Sequence, residues 1–195
     1  MPQDFARVVS FDDEPLILVD GDDRELGFLD KAAAHRGRGT LHRAFSLFIF
    51  NPRGQVLLQQ RAAGKRLWPG YWSNACCSHP RRGETLESAV HRRLDEELGL
   101  QCPLQPLFKF EYQAQFDDDG AEHELCAVYA GICADAPRMN PTEIAAVRYI
   151  APEALDAEIA AAPDAFTPWF KIEWSRIRRE YPEVCGRATA DAGAL

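Results

Sequence analysis

At 195 residues, with 46% apolar and 27% charged side chains, the chain has room for one domain with its own core and is short for two. The net charge of −8 argues against nucleic acid as a partner, because phosphate backbones call for a surplus of Lys and Arg; it leaves room for a small phosphorylated substrate in a local basic pocket. Six cysteines do not make a disulfide scaffold in a chain this long, no secretory signal is visible, and no stretch approaches the roughly 18 apolar residues of a membrane span, so a cytoplasmic protein with free thiols and no membrane association is expected.

In chain order, Val8-Val9 and Leu16 to Val19 read as two short strands around an Asp-rich turn, with a second turn at Asp20 to Asp23. Asp30 to His35 is a short helical or looped piece, and Arg36 to Gly39 a flexible basic loop. Leu41 to Phe50 is the strongest strand, rich in aromatic residues in its second half. Asn51 to Gly54 turns the chain, and Val56 to Arg61 returns as the hairpin partner. Leu67 to Tyr71 is a loop anchored by Trp68 and Trp72. Glu84 to Leu98 is a helix: Leu86, Val90, Leu94 and Leu98 recur at helical spacing and Gly99 stops it. Phe108 to Phe116 and Glu124 to Cys133 form a second hairpin around Asp117 to Gly120, and Val147 to Ile150 is a late strand. Helices open at Pro152 and run from Pro168 to Tyr181. Residues 1–182 therefore read as one domain of the α+β or α/β class, a mixed sheet between helices with strands added at the N-terminus, and 183–195 as a frayed tail.

Chemistry concentrates in Cys77-Ser78-His79, the run from Glu84 to Gly99, and Glu122-His123-Glu124, with His35 and His42 upstream. Together they supply a thiol, imidazoles and carboxylates of the kind that bind divalent metal. A thiol beside a metal-bound carboxylate suits proton shuffling on a hard substrate better than simple hydrolysis. Glu122 and Glu124 lie two apart on a strand and face the same way, with His123 opposite; Cys76 and Cys77 likewise face apart on an extended segment. Glu97 lies at the edge of the helix's buried face, where a carboxylate can point at a divalent ion and the phosphates it holds, while Glu87 and Glu96 face outward. Taken singly, each feature has a plainer reading: a solvated acidic helix, a surface histidine, a cysteine acting as a small hydrophobe. His91, His123, Cys102, Cys126, Cys133 and Cys185 keep those readings.

The run Ser78-x5-Glu84-x7-Arg92-Arg93-Leu94-x-Glu96-Glu97-x-Gly99-Leu100 resembles the Nudix box, Gly-x5-Glu-x7-Arg-Glu-U-x-Glu-Glu-x-Gly-U with U aliphatic. It departs from the box at Ser78, where the box has Gly, and at Arg93, where it has Glu; a cation there should weaken metal-assisted hydrolysis and could serve as a phosphate ligand. Trp68 to Pro80, Ala33-Ala34-His35, Leu41 to Ser46, Glu122-His123-Glu124 and Thr167-Pro168-Trp169 resemble the type I isopentenyl-diphosphate isomerases, over about residues 15 to 175.

This resemblance implies a Nudix-like fold and an interconversion of isopentenyl and dimethylallyl diphosphate in isoprenoid synthesis. It implies a cage of His35, His42, His79, Glu122 and Glu124 around Zn²⁺ or Mn²⁺. It implies a Mg²⁺ on Glu97 and the main-chain carbonyl of Cys77, bridging the diphosphate. Cys77 and Glu124 would be the proton-transfer pair, with Tyr112 relaying to Glu124 as acid, Cys77 as base, and the Trp169 indole facing a carbocation. Lys31, Arg61, Lys65 and Arg93 would hold the diphosphate. Trp68, Trp72 and Trp174 are expected to pack, and the chain to be a monomer or weak dimer. A Nudix hydrolase of a nucleoside diphosphate derivative is the main alternative and leaves Cys77 and the three cage histidines without a task; a catalytically dead module on the same fold is a further one.

Overall fold

The computed structural model describes residues 6–118 and 120–186. At its centre lies β3 (His42–Phe50). Phe45, Leu47 and Ile49 point to one side of this strand, Ala44, Ser46, Phe48 and Phe50 to the other, and all are buried. A strand buried on both faces needs cover on both. Along one edge β8 (Gly120–Ile132) runs parallel to it, from His42 opposite Glu124 to Phe50 opposite Ile132. Three strands share the other edge in turn: β1 (Pro15–Val19), β6 (Cys76–Ser78) and β4 (Val56–Arg61), all antiparallel. The sheet is completed by β2 (Glu25–Asp30) on β1, β5 (Trp72–Asn74) and β9 (Ile144–Ile150) on β4, and β7 (Gln105–Phe116) on β8, nine strands of mixed direction among the described residues.

The helix α2 (Leu86–Leu98) covers the first face, packing Val90, Leu94 and Leu98 on Phe45, Leu47 and Ile49. The second face meets α3 (Pro152–Ala161) and α4 (Pro168–Glu180), whose Leu155, Phe170, Trp174 and Ile177 pack on Phe48, Phe50, Val56 and Leu58. Helix α2 has clear ends. Thr85 caps it by accepting from Ser88 N at 3.1 Å, and Gly99, in the left-handed region at φ 61°, lets Leu100 N close back on Leu94 O. Glu84 precedes the helix and takes Arg92 in a two-pronged pair at 2.7 and 2.8 Å while accepting from Arg81 N. The first acidic position of the box thus locks the helix start.

The structure corrects the readings of Val8-Val9, of the first hairpin and of residues 183–186, and adds two short strands. Val8-Val9 is no strand: Val9 is tied to α2 through its carbonyl, which accepts from Arg93 Nη1 at 2.6 Å, and the partner of β1 is Glu25–Asp30, whose half-exposed faces hide it from pattern reading. The first hairpin pairs only at Phe50 opposite Val56, after which β4 leaves β3 for β9 and β5. Within the motif from Trp68 to Pro80, Trp72–Asn74 and Cys76–Ser78 are short strands. The tail begins later than 183, since α5 (Pro182–Gly186) is helical with Val184 buried; residues 187–195 of the expected frayed segment, and Asp119 of the second turn, lie outside the described residues. α1 (Lys31–Ala34) is a single turn that hands over to His35.

Candidate active site

The second face of the sheet carries the chemistry, at the end where β3 begins. His42 opens β3, Glu124 stands opposite it on β8, and Glu122 lies two residues earlier on the same face. His79 follows β6 directly and His35 follows α1. One ligand atom from each of these five buried residues falls within 4.8 Å of all the others. His42 Nε2 and His79 Nε2 are 3.1 Å apart, His79 Nε2 is 3.1 Å from Glu124 Oε1, and His35 Nε2 is 2.7 Å from Glu122 Oε2. Gly120 allows this meeting: a Cβ there would lie 2.1 Å from the His35 carbonyl, and its φ of +132° suits only glycine.

Burial lowers His35, but the charge of Glu122 outweighs it and holds the imidazole above its ordinary value. His79 is held well below by burial and by His42. Burial would raise Glu122 and Glu124; His35 for the first, His42 and Tyr112 for the second, outweigh it and keep both below the usual carboxylate range. These residues fit a divalent ion. His35 Nδ1 faces the Lys31 carbonyl at 2.7 Å and His42 Nδ1 the Thr40 carbonyl at 2.8 Å, so each Nδ1 keeps the proton and each Nε2 presents a lone pair inward. His79 Nε2, 3.1 Å from the His42 Nε2 lone pair, can meet it only through a proton of its own or a shared cation. His35 Nε2 and Glu122 Oε2, though close, are not aligned as a hydrogen bond, as expected of atoms aimed at a common third point.

A cavity of about 350 Å³ opens beside the cage. Its lining includes Cys77, Tyr112, Glu122, Glu124 and Trp169 together with Lys31, Arg61, Lys65, Thr142 and Glu143. Cys77 and Glu124 reach it from strands on opposite edges of β3, since Cys77 pairs with Ser46 and Glu124 with His42. The thiol donates to Asn74 Oδ1 at 2.9 Å and accepts from Trp169 Nε1 at 3.2 Å; burial, then the charge of Glu173, pushes it up to about 12. Tyr112 Oη donates to Glu124 Oε2 at 2.7 Å, and burial and Glu124 hold the phenol well above its ordinary value. Trp169 stands edge-on to Trp68, with the Arg61 guanidinium 5.4 Å from its ring centre.

The cations are not equivalent. Lys31 holds Ser10 and Glu14, Arg61 donates to the carbonyls of Leu67 and Trp68, and Lys65 is paired with Glu143. Burial lowers Lys65, with the charge of Glu143 opposing. Arg93 does not belong to the cavity wall. It is buried on the α2 side, where Glu97 at 2.5 Å, Glu143 at 3.6 Å and the Val9 carbonyl share its N–H groups, so its position does not suit the expected phosphate ligand. Glu97 is likewise off the wall, with Oε1 committed to Arg93. Glu96, expected to face outward, is half-buried among Arg92, Arg93 and Arg7. Cys76 faces the α2 core and His123 points away from the cage to Glu111. Trp68 and Trp174 pack in the core, and Trp72 is half-buried beneath Arg148. Sequence reasoning missed Asn74, Ser46 and Glu143 as partners. Ser46 was detectable as the one polar residue in the apolar run from Ala44 to Phe50.

A model of the NUDIX domain matches residues 40–170. The crystal structure of a Deinococcus radiodurans protein superposes with a TM-score of 0.68 at 26% identity, covering 86% of this chain and 99% of that one. The isopentenyl-diphosphate Delta-isomerase of Pectobacterium atrosepticum is 44% identical over 162 residues, 83% of this chain and 90% of the relative. That of Burkholderia multivorans is 46% identical over 158 residues, 81% and 89% of the two chains. The fold and the family model define a NUDIX protein. Within that class, the chain belongs to the isopentenyl-diphosphate Delta-isomerase family.

Proposed function

We propose that this protein interconverts isopentenyl and dimethylallyl diphosphate by moving one proton on and one proton off a five-carbon chain. The observation that carries the reading is the pairing, in one cavity, of a thiol and a buried carboxylate brought from opposite edges of β3, with the cations Lys31, Arg61 and Lys65 in the same lining. An unactivated alkene takes a proton at its terminal carbon, leaving a tertiary carbocation; a second proton then departs from the carbon nearest the diphosphate. The alkene is a feeble base, so its donor must be a strong acid. Glu124, held low by His42 and Tyr112, is such an acid once protonated. A thiol near 12 is a weak acid and, once ionised, a strong base. With Glu124 and Tyr112 as donor and Cys77 as acceptor, the step needs the thiol's proton to have passed to the carboxyl first, because at rest the thiol keeps its proton and the carboxyl is ionised; the carboxyl then gives that proton to the alkene and the thiolate takes one from the substrate. The roles reverse in the back reaction.

Trp169 and Tyr112 give the cation an aromatic surround, worth ~2 kcal/mol when desolvated against ~1.4 kcal/mol per tenfold in rate. Lys31, Arg61 and Lys65 are the diphosphate ligands in this reading, Lys65 after release from Glu143. His35, His42, His79, Glu122 and Glu124 would hold Zn²⁺ or Mn²⁺, which orients Glu124 and keeps its conjugate base stable. Mg²⁺ is expected to arrive with the diphosphate. The six thiols, all free, accord with action in a reducing cytoplasm, and the chain is read as a monomer or weak dimer. Among the described residues no helix is long and apolar enough to cross a membrane. Incubation with isopentenyl diphosphate, Mg²⁺ and Zn²⁺ or Mn²⁺ should yield dimethylallyl diphosphate without phosphate release. Release of phosphate with no isomer would make the protein a hydrolase and end this reading.

A further inference from the structure

Packing does not account for Glu173. It lies on the apolar stripe of α4 with Trp169, Phe170, Trp174 and Ile177, is 0% exposed, and its Oε2 has no hydrogen-bond partner among the described residues. A carboxyl group so placed costs stability that an aliphatic side chain would not. Burial pushes it up to about 8 against the pull of Ser46 and Cys126, so it is a neutral acid near pH 7.

A buried polar chain joins this group to the thiol. Glu173 Oε1 is 3.6 Å from Cys126 Sγ, Cys126 Sγ is 3.4 Å from Ser46 Oγ, and Ser46 Oγ is 3.5 Å from Cys77 Sγ. The register makes this possible. Ser46 lies opposite Cys77 across β3 and β6, and Cys126 lies opposite Ala44 across β3 and β8, so both side chains project from the α4 side of the sheet. We propose that Glu173 is a positioning residue for Cys77: its carboxyl oxygen holds Cys126, Cys126 holds Ser46, and Ser46 holds the Cys77 sulfur from within the core, adding to the hold of Asn74 and Trp169. A sulfur held on three sides stays aligned with the substrate, and small misplacements of a reacting group are costly. The inference rests on the reading of Cys77 as the catalytic thiol.

The test compares Glu173→Gln, Glu173→Leu and Ser46→Ala in the metal-loaded full chain. It measures kcat and KM for isopentenyl diphosphate and, separately, the rate of Cys77 alkylation by iodoacetamide, mapped by peptide mass. Glu173→Gln, neutral and of the same shape, should keep kcat within about twofold, while Glu173→Leu and Ser46→Ala each lower it by about tenfold or more at nearly constant KM. Both damaging variants should also shift the alkylation rate by roughly threefold or more, and the Ser46→Ala/Glu173→Leu pair should be no worse than Ser46→Ala alone. A role in packing alone predicts that Glu173→Leu is as active as the parent, and that result overturns the inference. So does a loss in Glu173→Gln equal to that in Glu173→Leu. Should Glu173→Leu fail to fold, Ser46→Ala decides: parental kcat and alkylation rate in that variant sink the idea. If the parent proves not to isomerise, the alkylation arm still reads the positioning, because it needs no turnover.

Discussion

Two adjacent cysteines illustrate what one residue's direction decides. Cys77 faces the cavity and Cys76 the α2 core, so their removal should separate cleanly. Cys77→Ala and Glu124→Gln are each expected to cut kcat by about 10² or more with folding intact, as loss of a general acid or base does. Cys76→Ala should cost about 1 kcal/mol of stability from lost packing and leave kcat near parental; urea titration beside a turnover assay reads both. Glu173 adds a pH signature. Its folded value of about 8 lies above the ordinary 4.5, so the folded state keeps a proton the unfolded chain gives up. Stability therefore falls as pH rises from 4.5 to 8, by at most about 1.4 kcal/mol for each step of one in pH, and levels off above. Glu173→Gln should show little gain in Tm at pH 4.5 and a gain that grows towards pH 8; a gain independent of pH would contradict the neutral buried acid.

Single elements hold the site from a distance. Burial would raise Glu84, but the Arg92 hydrogen bonds outweigh it and hold the carboxyl below its ordinary value. Its stabilisation is thus present above the unfolded value of 4.5 and lost as pH falls through the lower folded value. Thermal melts of Glu84→Gln against parent should differ at pH 7, by roughly 0.5–1 kcal/mol for a part-exposed pair, and converge on acidification. The turn before β8 is the second such element. Gly120→Ala places a methyl on the His35 carbonyl in a backbone region that alanine avoids, so about 1–3 kcal/mol of destabilisation is expected together with weaker metal retention, read by calorimetry and elemental analysis.

At the scale of the molecule, the cage ties together segments far apart in the chain: the end of α1, the start of β3, the residue after β6, and β8. An ion bound to folded and not unfolded chain stabilises by RT ln(1 + [L]/Kd), about 2.7 kcal/mol at a hundredfold excess over Kd. Exhaustive chelation should lower Tm by several degrees and Zn²⁺ or Mn²⁺ should restore it, while His42→Ala should bind less metal and lose that response. Unchanged metal stoichiometry in His42→Ala would count against the cage.

Much of this was legible in the sequence, because local physics writes itself locally. Leu86, Val90, Leu94 and Leu98 announce α2, Gly99 its end, and the two-residue offset of Glu122 and Glu124 their common face. The motif from Trp68 to Pro80 and the scattered histidines pointed to the family, and all five cage residues do converge. Other features depend on what lies across the fold. Arg93 read as a free cation until Glu97, Glu143 and the Val9 carbonyl surrounded it, and β2 carried no pattern because neither of its faces is deeply buried. Ser46 and Glu173 each broke an apolar stripe, which was a visible signal, yet only the packed fold brings them together through Cys126. Spacing along a chain determines which way a side chain points; the charge, lone pair or proton it meets comes from residues dozens of positions away, and only the packed sheet and helices decide that.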